Sequence, residues 1–586
     1  LATRLAAATH CDGAILAEIA ESSSGEMEIG FHMDEDAVPW NDMPEDQEQF
    51  VDEISGALLD PKEVKKARMA EIEFVHDFKV YEKVPASEAN GKQKVPVRWC
   101  DLNKGDADNP EYRSRLVAKE LKRLNPGMTG TFAATPPLES LRFMISLCMT
   151  ERNKFSLGVV VKMLVLDVSR AHFHPESSRE LYIDLPAEDA VEGMVGRLLK
   201  TMYGTRDAAA SWEAFYTVAF VELGFRQGLF SPCLFWHPVK EIACWVHGDD
   251  FVAVGEEYAL KWFHAKLDET MLLKKRAMLG PEENDDRRIT ILNRIVEYHV
   301  DGDSGDYITY EPDPRHAEII ISQLGLEKDG VKGVVTPGTK QADYADATEL
   351  PWKEAKLFKS CCMHINFLAA DMPHLQYPAK EAARSMATPT VGSMARLRRI
   401  GRFLKSHGRC VQHFYKQKKP SRWLIKSDSD YAGCLVSRNS TSSNYLFHGS
   451  HLIRSSATTQ KLPGLSVGET EFMSLVKAAS VGLGAVAMGT DLGTTLRLDL
   501  ETDSTTAKAI SLRRGVGKIR HLHTPLLWVQ KRAQQKDFYV LKVDGKLNAA
   551  DLGTKFLDSA TMKRYLLECG FVFLAGRSSL ALKAAL

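Results

Sequence analysis

Residues 243–255 read ACWVHGDDFVAVG, two apolar runs on either side of Gly248, Asp249 and Asp250. Such runs read as the strands of a hairpin, with the glycine and the two acids near its tip. Adjacent carboxylates repel, and they lose hydration as a hairpin is buried, unless water or a cation compensates them. A solvated turn is the ordinary resolution for a bare Asp-Asp pair. A divalent-metal site is the other, because hard cations such as Mg2+ take carboxylate oxygens. The rest of the chain decides between the two.

Other acids sit in comparable places. Residues 158–168, GVVVKMLVLDV, form an apolar strand that ends at Asp167. If that strand pairs with the hairpin, Asp167, Asp249 and Asp250 converge, as two-metal phosphoryl transfer requires of carboxylates from different segments. In the second half, KSDSDYAG offers Asp428 at a strand end, and SVGETEFMSL offers Glu471 on a helix, with Glu469 its near alternative. LETDSTTA offers Asp503 after a strand, and NAADLGTK offers Asp551 at a helix start. Four acids along one α/β unit match the needs of a two-metal nuclease. N-capping is the ordinary role for Asp503 and Asp551.

At 586 residues the chain is too long for one core, and three or four domains are expected. Hydrophobic residues at 44% and charged residues at 26% are the values of a globular protein. With no apolar run of 18 residues, no transmembrane helix and no membrane partner are expected. The start, LATRLAAATHCDGAILAEIAE, lacks the basic-then-apolar order of a secretory signal and an initiator Met, so the chain reads as a fragment or processed piece. Ten scattered cysteines without a C-x-x-C argue against zinc knuckles and a disulfide framework, which leaves an intracellular, reducing setting. The net charge of −2 conceals an asymmetry: residues 1–61 carry Arg4 against 15 acids (−14), so residues 62–586 carry −2 − (−14) = +12. A basic body points to a polyanion partner.

Residues 1–61 are Ser-rich, then acidic, and are expected to be a poorly ordered leader. Helical spacing follows over 62–84, then a strand at 95–103 and a basic stretch at 113–123. Residues 266–330 read as charged helices around one strand pair, 333–345 as a linker and 350–409 as a helical block. Its last helix places Met394, Leu397, Ile400 and Leu404 on one face and Arg398, Arg399, Arg402, Lys405 and Arg409 on the other. From Ala382 to Ser427 there are 12 Lys or Arg and no acid, with Phe403, Phe414, Tyr415 and Trp423 interleaved. That composition suits a nucleic-acid track, bases stacking on rings, as well as it suits an amphipathic core helix with a solvated face. Beyond residue 420 strands and helices restart as a separate α/β domain.

YRSRLVAKE, MLVLDVSRAHF, TMYGTRDAAASW, the V-x-G-D-D hairpin and ADMPHLQYPAKEAARSMATP together resemble the reverse transcriptase of copia-type LTR-retrotransposon Pol polyproteins. KSDSDYAGCLVSRNSTSS, SSATTQKLPGLSVGETEFMSL, LETDSTTAKAI, KIRHLHT and LNAADLGTKFL resemble the ribonuclease H that follows in them. The ordered set, from about residue 62 to the end, is more specific than any one motif.

The resemblance implies an α+β fold: a right-hand polymerase, a helical connection and an α/β ribonuclease H-like domain. Fingers and palm would span 62–265, a thumb-like region 266–332, the linker and basic connection 333–420, the ribonuclease H-like domain 421–556 and a tail 557–586. It implies an RNA- and DNA-directed DNA polymerase and an endonuclease on RNA–DNA hybrids, with two Mg2+ or Mn2+ ions per active site. Asp167, Asp249 and Asp250 fall on the palm metal ligands, and Asp428, Glu471, Asp503 and Asp551 on those of ribonuclease H. Arg115 and Lys119 fall where fingers meet template and nucleotide, and His172 on the aromatic position that screens the sugar 2′ position. Asp207 stands where Gln is common, an acid near a triphosphate that Arg206 or a metal must offset. His247-Gly248 replaces the usual Tyr-Val, and Ser443-Asn444 stands where a Gly is usual. The implied partners are RNA template, DNA primer, RNA–DNA hybrid and dNTPs. Integrase, protease and capsid, which serve DNA integration and packaging, belong to the family but are not expected in this chain. The implied location is a cytoplasmic particle, the nucleus, or both. The alternative is a decayed or host-retained nucleic-acid-binding relic of the same element.

Overall fold

The computed structural model describes residues 50–53, 56–105, 109–121, 126–151, 160–302, 305–339, 346–434 and 437–582. Residues 1–49 of the expected leader lie outside these. The last part of that stretch is not a leader: β1 (Phe50–Val51) pairs with β2 (Leu58–Leu59), and Phe50, Leu59 and Val64 cluster. Its few apolar residues suffice because the next helix covers them. That helix, α1 (Pro61–Asp77), starts with Pro61 behind an Asp60 cap that accepts from the Lys62 and Glu63 amides at 2.8 and 3.4 Å.

Four short strands follow the order β3 (Tyr81–Pro85), β9 (Met194–Leu198), β8 (Tyr182–Ile183), β4 (Lys94–Val95). Beside them β5 (Val97–Asn103) and β6 (Tyr112–Ala118) form an antiparallel ribbon.

The central sheet has six strands. Its order is β10 (Arg226–Gln227), β11 (Leu234–His237), β12 (Ile242–His247), β13 (Asp250–Glu256), β7 (Val161–Val168) and β14 (Leu273–Leu279). β7 lies inside the sheet and is covered on both faces, hence its apolar run from Met163 to Leu166. Leu164, Leu166 and Val168 point toward α3 (Ala208–Glu222) and α4 (Glu257–Asp268), while Met163 and Val165 point toward α2 (Leu138–Cys148). The β12–β13 hairpin turns through two residues, Gly248 and Asp249. Gly248 has φ +61°, the positive value a type II′ turn needs at its first central position.

Residues 266–332 do not stand apart as a thumb. β14 joins the central sheet, and the next strands open a third sheet in the order β15 (Arg288–Ile291), β16 (Arg294–His299), β17 (Tyr307–Glu311), β18 (Cys410–Tyr415), β24 (Phe571–Phe573). β18 lies in the expected connection and β24 in the expected tail, so sequence-distant apolar strands close one sheet. Four helices pack around a second core: α5 (Arg315–Gln323), α6 (Trp352–Asp371), α7 (Pro373–Ala383) and α8 (Val391–His407). Residues 340–345 of the expected linker and 583–586 of the expected tail lie outside the described residues.

The last sheet is mixed, ordered β21 (His451–Thr459), β20 (Thr441–His448), β19 (Arg422–Ser429), β22 (Arg497–Thr502), β23 (Tyr539–Lys542). β19, β22 and β23 run parallel, and β20 runs antiparallel to both neighbours. Helices α9 (Val467–Asp491), α10 (Thr505–Leu512), α11 (Trp528–Gln534) and α12 (Ser559–Glu568) complete it. By length and composition α9 could cross a membrane, contrary to the expectation of no such segment. Its apolarity serves the core instead, where Phe472, Leu475, Ala478 and Met488 are buried. Nor is this unit a separate domain. Phe143 of α2, Met163 of β7, Trp423 and Ile425 of β19 and Phe472 of α9 belong to one hydrophobic core. α2 buries residues on every side and so needs cover from two elements at once.

Candidate active sites

Asp167 on β7 and Asp250 on β13 are opposite one another in register. The Val168 amide donates to the Asp249 carbonyl at 2.8 Å, which makes Asp167–Asp250 the neighbouring close pair of the ladder. Cβ atoms of such a pair are about 4.5–5.5 Å apart on one face. Both acids share the face of Met163, Val165, Val252 and Val254, at its open end. Burial pushes the Asp250 carboxyl up to about 6; Arg276 opposes this, and the charges of Asp249 and Asp167 reinforce it. The Arg276 Nη1 donates to Asp250 Oδ1 at 3.0 Å. Arg276 reaches there because β14 bulges between Lys275 and Ala277, which lifts it out of the ladder.

Cations face these acids from the β5–β6 ribbon. Arg113 and Arg115 alternate on one face of β6 while Ser114, Leu116 and Ala118 fill the buried face. Burial and then Arg113 and Arg115 hold the Lys104 ammonium below its usual range, against the pull of Asp249 and Asp167. Burial likewise lowers Arg113, helped by Arg115 and Arg170. The Arg115 guanidinium lies 5.1 Å over the Tyr203 ring, its buried Nε without a partner among the described residues. His172 meets the same ring edge-on at 4.9 Å, and burial lowers its pKa, so the imidazole is neutral. Among the described residues its Nδ1 has no hydrogen-bond partner. Lys119 is exposed just past the end of β6.

The expectation for Asp207 needs correcting. Arg179, not Arg206, neutralises it, with Nε and Nη2 each 2.9 Å from its carboxylate. Arg179 also grips the buried Glu120. The Arg206 amide donates to that same Glu120 at 2.9 Å. Arg179 lies 28 residues from Asp207, beyond any local pattern. His247, in place of the usual aromatic, stacks on Trp245 at 5.6 Å.

In the second half Asp428, Glu471 and Asp503 bring carboxylate oxygens within 4.8 Å of one another. Asp428 accepts from Thr554 Oγ1 at 2.5 Å. Burial raises Asp428, and Asp551 adds to it; burial raises Glu471, and Asp428 and Asp503 add to that. Asp551 thus stands beside the trio, bridged to Lys555 at 2.7 Å. Glu471 Oε2 is buried without a hydrogen-bond partner among the described residues. The alternative, Glu469, turns away to accept from the Leu465 amide at 2.9 Å and to pair with His521. Neither Asp503 nor Asp551 is a cap: Ser504 caps α10, and Asn548 caps the 3-10 turn containing Asp551. Ser443 is in register with Asp428, its hydroxyl buried and, like the Asn444 amide, without a partner among the described residues.

The basic track is engaged within the protein. Arg398, Arg402 and Lys405 donate to the carbonyls of Leu324, Lys332 and Leu326 at 3.2, 2.8 and 2.8 Å. Arg399 donates to Thr336 Oγ1 at 3.0 Å, and Arg409 makes a fork with Glu311, both bonds 3.0 Å. Phe403, Phe414 and Trp423, expected as possible stacking rings, are fully buried; Tyr415 is exposed. Their charge and ring pattern could not reveal the loop at 324–336 that folds over α8.

Residues 78–280 match the reverse transcriptase (RNA-dependent DNA polymerase) family. This stretch contains the central sheet and the β5–β6 ribbon. The Pol polyprotein from transposon TNT 1-94 of Nicotiana tabacum is 21% identical over 84% of the chain, and that from transposon RE2 of Arabidopsis thaliana is 23% identical over 68%. This chain is a relative of the copia-type retrotransposon Pol proteins. It spans 36% and 26% of the length of those two polyproteins. An uncharacterized mitochondrial protein of Arabidopsis thaliana is 29% identical over 28% of the chain.

Residues 78–280 are thus a reverse transcriptase domain. Within it, reading the sequence singled out Arg115 but passed over Arg113, whose period-2 spacing from Arg115 was the available signal. Lys104, Tyr203 and Arg276 had no local signal, since a loop, a distant turn and a bulge bring them in.

Proposed function

We propose that this chain is an RNA-directed DNA polymerase joined to a ribonuclease H, each working with two divalent cations, Mg2+ or Mn2+. The observation that carries the reading is the register of Asp167 opposite Asp250, with Asp249 in the adjoining turn, inside a reverse transcriptase domain. For the second activity the support is the Asp428–Glu471–Asp503 cluster with Asp551 beside it.

Both donor sets fit hard divalent ions. They are carboxylate oxygens whose mutual repulsion is incompletely offset, and Glu471 keeps one buried oxygen free. Such ions, when bound, polarise a phosphate and lower the pKa of the attacking hydroxyl or water. The chain's own residues hold and orient the reactants. Asp167, Asp249 and Asp250 would hold the cations at the hairpin tip, where the primer end and triphosphate would meet. Arg113, Arg115 and Lys104 would meet the phosphates, and Lys119 the template edge. His172, backed by Tyr203, would abut the sugar 2′ position and set the preference for dNTPs. Asp207, neutralised by Arg179, would not repel the triphosphate. At the second site the chain would hold an RNA–DNA hybrid and select the RNA strand partly by its 2′-hydroxyls.

The right-hand reading assigns fingers to α1 with β3–β6, β8 and β9, and the palm to the central sheet. The sheet β21-β20-β19-β22-β23 with α9 is read as ribonuclease H-like. Template RNA, DNA primer and hybrid are the proposed partners, with integrase, protease and capsid supplied elsewhere in a polyprotein, in a cytoplasmic particle or the nucleus. A primer-extension assay on an RNA template with Mg2+ tests the reading: extension by the wild type and its loss in Asp249→Asn support it. Nucleic-acid binding with no extension by the wild type would favour a non-catalytic relic.

A further inference from the structure

The two acidic sites are joined by more than a connection. Asp491, the last residue of α9, accepts from three successive amides of the loop before β11: Leu229 at 2.9 Å, Phe230 at 2.7 Å and Ser231 at 3.2 Å. Successive amides converging on one carboxylate form an anion nest, here filled from another part of the chain. The fit is close. A Cβ on Gly228 would lie 2.5 Å from the Asp491 carboxylate, and one on Gly493 would lie 2.3 Å from the Trp236 ring of β11. A second seam runs along α2. Arg454 of β21 bridges Glu139 at 2.5 Å, and Ser146 bonds His448 and His451 at 2.7 and 2.8 Å. Phe143 packs its ring 4.9 Å from Trp423.

We propose that Asp491 and the Glu139–Arg454 pair are positioning residues that lock the second acidic site directly onto the sheet bearing Asp167, Asp249 and Asp250. The lock sets how far behind the growing primer end the RNA strand is cut. Ionic and amide contacts at the rim resist rocking, while the shared core around Phe143 and Trp423 resists separation. The catalytic consequence rests on the function proposed above; the lock itself rests on geometry alone.

Two measurements separate them. In the first, an end-labelled RNA template carries a DNA primer of fixed 3′ end, and the lengths of cut RNA are read with Mg2+. The wild type is expected to cut at one narrow spacing. Asp491→Ala and Glu139→Arg are expected to broaden that spacing while primer extension, and total cutting of a hybrid with no primer end, stay within about twofold of the wild type. Glu139→Arg combined with Arg454→Glu restores the narrow spacing, because the ion pair is re-formed with its signs exchanged. An unchanged spacing in Asp491→Ala and Glu139→Arg would overturn the proposal. The second measurement, amide hydrogen exchange, needs no activity. The Leu229–Ser231 amides exchange slowly in the wild type and at least tenfold faster in Asp491→Ala, with β13 unaffected. Equal exchange in the two proteins would overturn the lock; a wild type with slow amides but neither extension nor cutting would overturn only the proposed function.

Discussion

Asp167 and Asp250 stand opposite one another on adjacent antiparallel strands, in register, at the end of the most thoroughly buried strand of the central sheet. Their side chains share a face because strand side chains alternate and the register allows no slip. Like charges at a close ladder position cost stability. Asp167→Asn and Asp250→Asn should therefore each raise the melting temperature of the metal-free protein. Each should also lower primer extension by more than the roughly 10–100-fold that loss of an outer-shell partner costs. Melting without metal and extension with Mg2+ check the two halves.

Arg276 is the counter-cation that Asp250 has in the absence of metal. Arg276→Ala should destabilise the metal-free protein by about 1–3 kcal/mol, the cost of leaving a buried carboxylate without its partner. The same variant should reach half-maximal extension at lower Mg2+, since one positive charge no longer competes at Asp250. Urea unfolding and an Mg2+ titration are the measurements.

Asp250 titrates at about 6 in the folded chain, above the ordinary value near 4 for an unfolded aspartate. A carboxyl raised in this way favours folding while protonated. Its contribution is complete below the unfolded value and is lost as pH rises through about 6. Asp428 and Glu471 are shifted in the same direction by burial and by neighbouring acids. The metal-free protein should therefore lose stability as pH rises from about 4 through about 6, and added Mg2+ should raise its melting temperature more at the upper end. Asp250→Asn should shallow the pH dependence.

Arg179 holds Glu120 and Asp207 together, Glu120 having no exposed side-chain surface. Arg179→Ala should cost roughly 3–5 kcal/mol, the range for breaking a buried pair from one side. Since it also frees a negative charge at Asp207, the Km for dNTPs should rise more than kcat falls. Urea unfolding and steady-state extension kinetics check both.

The basic face of α8 gives the opposite kind of expectation. Arg398, Arg399 and Arg402 donate to the 324–336 segment. Replacing Arg399 and Arg402 by Ala should lower stability by about 1 kcal/mol each. The slope of nucleic-acid affinity against salt should stay unchanged, because phosphate contacts and not structural ones set that slope. A steep loss of slope would return these residues to the nucleic-acid surface.

By itself the sequence determined the local elements and the acids they carry. The apolar run before Asp167 read as a strand, and Gly248 with two acids read as the tip of a hairpin. The acids at 428, 471, 503 and 551 were legible because each follows or opens an element of clear period. Tertiary structure alone decided which charges are free. Asp207 answers to Arg179, Asp250 to Arg276 through a bulge, and Glu469 to a loop amide rather than to the acidic cluster. It also decided that Arg398 to Arg409 bond within the protein and that three sheets share one core. The physical reason is that side-chain partners across long loops are chosen by packing distance in three dimensions, whereas a sequence displays only periodicity along one.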